Sequence, residues 1–119
     1  MQTTTQNAPD HADLPPAVQR YFELMARPDK SSTLTVFAAD ATVLDDGRSY
    51  AGHHEILGWL RGAASEFTTT STWISSDRSA DAATAVIRIA GDFPGSPVDL
   101  HHRFVLDSAG LIGALAISA

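Results

Sequence analysis

Apolar residues recur along this chain at two different periods, and the change of period falls near its middle. Val18, Tyr21, Phe22 and Met25 stand at i, i+3, i+4 and i+7, the spacing that lays one apolar stripe along a helix. Pro15 and Pro16 sit at the head of that stripe, where a proline removes no intrahelical hydrogen bond, and Asp13 supplies an acidic cap. Pro28 closes the segment, because the residue before a proline is pushed out of the α region. A second stripe, Ile56, Trp59, Leu60, Ala63 and Phe67, predicts a helix from about His53 to Phe67. Between the two, Ser31–Phe37 reads as a short helix capped by Asp29 or Ser31, although its Ser, Thr and Val content also suits a strand. A short strand over Ala41–Leu44 closes on Asp45-Asp46-Gly47, a strong turn signal.

The second half alternates instead. Thr68–Ser75, Ala82–Phe93, Val98–Leu106 and Leu111–Ser118 are strand candidates, separated by the turn-rich stretches 76–79, 94–97 and 107–110. Short connections imply antiparallel neighbours. Helices first and strands afterwards predict an α+β fold, with helices covering one face of a curved sheet. Residues 1–12 have nothing to bury and are expected to form a disordered arm, leaving 13–119 as a single domain.

Composition narrows the function. With 119 residues, 44% hydrophobic and 18% charged, the chain holds one ordinary core. It has no cysteine, which excludes disulfides, zinc knuckles and a thiol nucleophile. Eight Lys+Arg against fourteen Asp+Glu, a formal charge of -6, argue against a nucleic-acid footprint or a polybasic membrane patch. Met1–His11 is polar without an apolar core, so no secretory signal is read there and a cytoplasmic location is expected.

Three polar residues stand out. Along the third strand of the second half, Val98, Leu100, Phe104 and Leu106 share one face, and the residue between them on that face is His102. An imidazole in an apolar row is either a hydrogen-bonded core histidine or a donor, acceptor or base at a site. Asp45 and Asp46 either support the turn or send one carboxylate back under the helices as a general base. Tyr21 on the first helical stripe is either core or an oxyanion donor. His53-His54-Glu55 has the wrong spacing for two metal ligands on one helical face, and His101 and His102 point to opposite faces of their strand, so no metal site is expected. Phosphate loops and nucleophile elbows have no counterpart, and no cofactor is expected.

The stretch Phe37–Asp45, continuing through Gly47–Ile56, resembles the nuclear transport factor 2-like superfamily, in particular its SnoaL-like and ketosteroid-isomerase-like members, and the likeness runs from about Leu14 to Ala119. The resemblance implies a cone-shaped, strongly curved, mostly antiparallel sheet closed by three helices (a cystatin-like α+β roll) around an apolar cavity, commonly paired as a homodimer. It also implies roles: Asp45 as base, with Tyr21 and His102 in the places of the two oxyanion donors. His102 stands where the isomerases carry an acid, and Leu60 where they carry a supporting phenol. A related proton transfer on another small apolar carbonyl compound is therefore the expectation. Phe22, Met25, Trp59, Ile87 and Leu100 are expected to contact it.

Two functions follow. One is an isomerase, dehydratase or cyclase that removes a proton next to a carbonyl. The other is a non-catalytic binding or dimerisation module, whose cavity Phe22, Met25, Trp59 and Ile87 would fill.

Overall fold

The computed structural model describes residues 14–119. Both the expected arm at 1–12 and the Asp13 cap lie outside them.

Helix α1 runs Pro16–Met25 behind Pro15 at its N-cap. It buries Val18, Tyr21 and Leu24, so its stripe is rotated from the expected one, and Phe22 and Met25 sit half-buried beside it. Ser31–Val36 is a 3-10 helix rather than a regular α-turn. Asp29 opens it: its Oδ1 accepts from the Ser31 N–H at 2.9 Å and the Ser31 hydroxyl at 2.7 Å, as Asx turns do. Strand β1 then starts at once and spans Phe37–Asp45, longer than the Ala41–Leu44 core that the sequence suggests.

Asp46 (φ 52) and Gly47 (φ 79) both take the left-handed conformation that a two-residue hairpin of opposite twist requires. Asp45 therefore faces Arg48 across the turn, and β2 follows at Arg48–Ala51, a strand that the alternation of so short a run does not reveal. Helix α2 covers Gly52–Arg61, with the Glu55 carboxylate accepting from the Ala51 N–H at 2.7 Å, a back-bond that satisfies an orphan donor of the first turn. It ends six residues short of the expected Phe67. The backbone of Gly62 leaves helical space (φ -104, ψ -101), and a 3-10 turn at Ala63–Ser65 follows. The Ser65 hydroxyl donates to the Leu60 carbonyl at 2.7 Å, one of the end carbonyls a helix leaves bare.

Strands β3 (Thr69–Arg78), β4 (Ala82–Gly91), β5 (Val98–Leu106) and β6 (Ile112–Ser118) form an antiparallel meander. β3 runs on through residues 76–78, which the sequence assigns to a turn. Among the described residues the six strands order as β2-β1-β6-β5-β4-β3, and β1 pairs β6 in parallel, the one departure from antiparallel order there. Register shifts interrupt β1 between Phe37 and Thr42, β3 between Trp73 and Ser75, and the β5–β6 ladder between Val105 and Leu106. Irregularities of this kind bend a strand and increase its twist, and together they curl the sheet around the helices.

The core lies between the helices and the concave face. Phe37, Val43, Ile56, Leu60, Phe104, Ile112 and Leu115 are all at most 2% exposed, and each contributes about 1.5–3 kcal/mol by leaving water.

Candidate active site

Three adjacent strands bring two of the polar candidates into one lateral row. Asp45 at the end of β1 pairs with Ile117 of β6, which pairs in turn with His102 of β5. All three side chains point to the concave side, where they border a cavity of about 880 Å³. At about 4.8 Å per strand the backbones of Asp45 and His102 stand roughly 10 Å apart, room for a small polar group between them. Helix α1 lies across the row and brings Tyr21 over it, its ring centroid 6.4 Å from that of His102. Tyr21, Asp45 and His102 thus border one cavity, together with Phe22, Met25, Trp59, Ile87 and Leu100. Asp46, turned away at φ 52, is not among its lining residues.

Each polar group is held differently. The Asp45 Oδ2 accepts a hydrogen bond from the Trp59 indole at 2.9 Å, leaving Oδ1 for a ligand. Trp59 itself is packed against Tyr50, with ring centroids 6.2 Å apart. Because α2 begins directly after β2, Trp59 returns over the strand that carries Asp45. The sequence reading places Trp59 at the cavity but misses this bond, although a buried indole N–H generally needs an acceptor.

Tyr21 is 2% exposed. Burial, and secondarily the nearby Asp45 carboxylate, push its hydroxyl well above the ordinary tyrosine range. It stays a phenol, and a phenol is a donor. His102 is 7% exposed and sits among Phe22 (5.4 Å), Tyr21, and Phe104, whose ring is stacked on it at 6.1 Å and 10°. Burial pulls its pKa down to about 4, with the Leu100 and Ala85 carbonyls pulling weakly the other way. The imidazole is therefore neutral near pH 7 and carries a single N–H. Its Nδ1 is buried without a hydrogen-bond partner among the described residues, a state that costs about 1–3 kcal/mol. That nitrogen belongs to a ring that borders the cavity, where a ligand can supply its partner.

The expectation that Phe22, Met25, Trp59 and Ile87 fill the interior is not met: they line the walls of an open space. The wall continues outward through Trp73, Ile89 and Val98 to Phe67 and Phe93, whose rings meet at 5.9 Å. Phe67, expected on the buried face of a long helix, is 41% exposed at this rim. The sequence reading also overlooks Lys30, which lines the same cavity.

No protein-family model matches the chain, and no curated protein does. Solved structures do. A candidate polyketide cyclase from Sinorhizobium meliloti is 32% identical, with a TM-score of 0.83 over 91% of this chain and 98% of that one. A hypothetical protein of ketosteroid-isomerase-like fold from Catenulispora acidiphila, solved with trimethylamine, is 20% identical with a TM-score of 0.74 over 88% and 85% of the two chains. A Mycobacterium tuberculosis protein in complex with estradiol-17beta-hemisuccinate is 17% identical, with a TM-score of 0.72 over 87% and 90%.

Proposed function

This chain belongs to the nuclear transport factor 2-like superfamily, on its SnoaL-like, ketosteroid-isomerase-like side, and on that premise we propose that it is an enzyme moving a proton next to the carbonyl of a small apolar compound. The observation that carries this reading is the sharing of one apolar cavity by a carboxylate, a phenol and a neutral imidazole. Polar groups are costly to hold in such a place unless a ligand uses them.

In the proposed reaction the Oδ1 of Asp45 takes a proton from the carbon beside the carbonyl. The electrons of that C–H bond move to the carbonyl oxygen, which becomes an enolate. Tyr21 donates its O–H and His102 its N–H to that oxygen as the charge develops. Such donors in a dry site contribute on the order of 3 kcal/mol of barrier each. The carboxylic acid formed on Asp45 then returns its proton to another carbon of the same framework, giving an isomer, or gives it to a β-hydroxyl that leaves as water while the enolate electrons form the new C=C bond, giving a dehydration. A neutral imidazole suits this role because it donates without having to be charged beforehand.

The ligands of the structural neighbours, a steroid ester and trimethylamine, lend support to a small-molecule ligand here. Pairing of two copies through the outer sheet face and a cytoplasmic location belong to the same proposal. The exposure of Leu44 and Val105 on that face supports the pairing. The test of the reaction is Asp45→Asn: it should abolish isomerisation of a β,γ-unsaturated cyclic ketone while a planar phenol still binds. Unchanged turnover would refute the role.

A further inference from the structure

The cavity is graded along its length. Its inner end is the row Asp45, Ile117, His102. Outward come Leu100 and Ile87, paired across β5 and β4, with Trp73 beyond them, and then Val98 and Ile89 with Ser71. The four residues from His102 to Val98 advance about 13 Å along the strand. Helix α1 borders the same cavity from Tyr21, near His102, through Phe22, whose ring lies 5.1 Å from that of Trp73, to Met25 and Ala26, and the chain then reaches Lys30.

Lys30 is the only lysine of the sequence. Its Nζ donates to the Arg27 carbonyl at 3.2 Å, which anchors the side chain where it borders the cavity. The carboxylates nearest in sequence are engaged elsewhere. Glu23, also at the rim, pairs with Arg20 at 3.2 Å, and Asp29 accepts from the Ser31 N–H and hydroxyl. Among the described residues no carboxylate pairs with Lys30. The chain carries a net charge of -6, so an ammonium that borders an apolar cavity without a carboxylate in ion-pair contact runs against the general balance of charge.

We propose that Lys30 forms an anion subsite at the cavity mouth, and that the ligand is an apolar carbonyl compound carrying a carboxylate at the end remote from the reacting group. The proposal rests on the reading of the inner end given above. Asp45 rejects a second carboxylate near the reacting atoms, whereas Lys30 attracts one at its own stretch of the cavity wall. The two charges thereby fix which end of the ligand enters first. Specificity here comes as much from the repulsive inner end as from the attractive outer one.

The test compares two rigid biphenyls, each with a phenol at one end, bearing at the other end either a carboxylate or its neutral carboxamide. The phenol stands in for the enolate, and the two rings span the apolar rows. In calorimetric titration of the full chain at low salt, the carboxylate should bind about three- to tenfold tighter than the carboxamide. That ratio should fall to about one in Lys30→Gln, persist in Lys30→Arg, and shrink as salt is raised. A ratio near one in the unaltered protein, or a preference that survives Lys30→Gln, overturns the subsite while leaving the inner site intact. If neither biphenyl binds, the reading of the inner site fails first and the subsite with it.

Discussion

The Trp59 indole N–H meets the Oδ2 of Asp45 at 2.9 Å, tying a helix to the end of the strand that carries the proposed base. One oxygen of the carboxylate is thereby fixed, and the other is directed by that constraint. Trp59→Phe keeps the ring and removes the bond. It should cost about 1 kcal/mol of stability in denaturant unfolding, and turnover should drop about tenfold while phenol binding is retained. Unaltered turnover would show that the carboxylate does not depend on the indole for its position.

Neighbouring carboxylates should behave in opposite ways. Asp46 sits in the left-handed region at φ 52 and outside the cavity lining. Asp46→Gly relieves backbone strain and should leave turnover unchanged, whereas Asp46→Val should destabilise by about 1–2 kcal/mol. Thermal unfolding and turnover measured on the same preparations separate the two effects.

Much of this arrangement was legible in the sequence, and what was not has definite causes. The alternation from Val98 to Leu106 placed His102 on the inner face because that strand has one buried and one wet side. Asp45 could be placed at a strand end because Asp-Gly is a strong turn signal. The parallel pairing of β1 with β6 joins residues some seventy positions apart, and no local pattern encodes it; yet that pairing puts Asp45 and His102 in one row. Ala63 and Phe67 continue the apolar spacing of helix α2 past its end at Arg61, while the break depends on the backbone angles of Gly62. Lys30 carried no signal as a lone charge after a helix.

Acid should weaken the fold through His102. Its pKa in the folded protein is about 4, against an ordinary value of 6.5. Between those values the unfolded chain takes up a proton that the native protein does not, so stability falls as pH drops from about 6.5 to about 4. The total contribution is about 3 kcal/mol. His102→Phe should flatten that part of the profile, measured by urea unfolding across the window. An equally steep loss in the variant would assign the effect to other groups.

Alkali should act through Tyr21, with the opposite sign. Its hydroxyl titrates well above the ordinary range when folded, so the unfolded chain loses a proton first and stability falls as pH rises past about 10. Tyr21→Phe should remove this alkaline loss while keeping most of the packing against Phe37 and Phe104.

In the proposed reaction Asp45 removes a proton from a carbon beside a carbonyl whose oxygen lies against Tyr21 and His102. Its most direct measurement is α-proton exchange of bicyclic ketones in heavy water, followed by proton NMR with the unaltered chain and with Asp45→Asn. Catalysed loss of the α-proton signal is expected with the unaltered chain, no catalysis with Asp45→Asn, and a rate reduced about a hundredfold or more in Tyr21→Phe. Exchange at the same rate with and without the Asp45 carboxylate would contradict it.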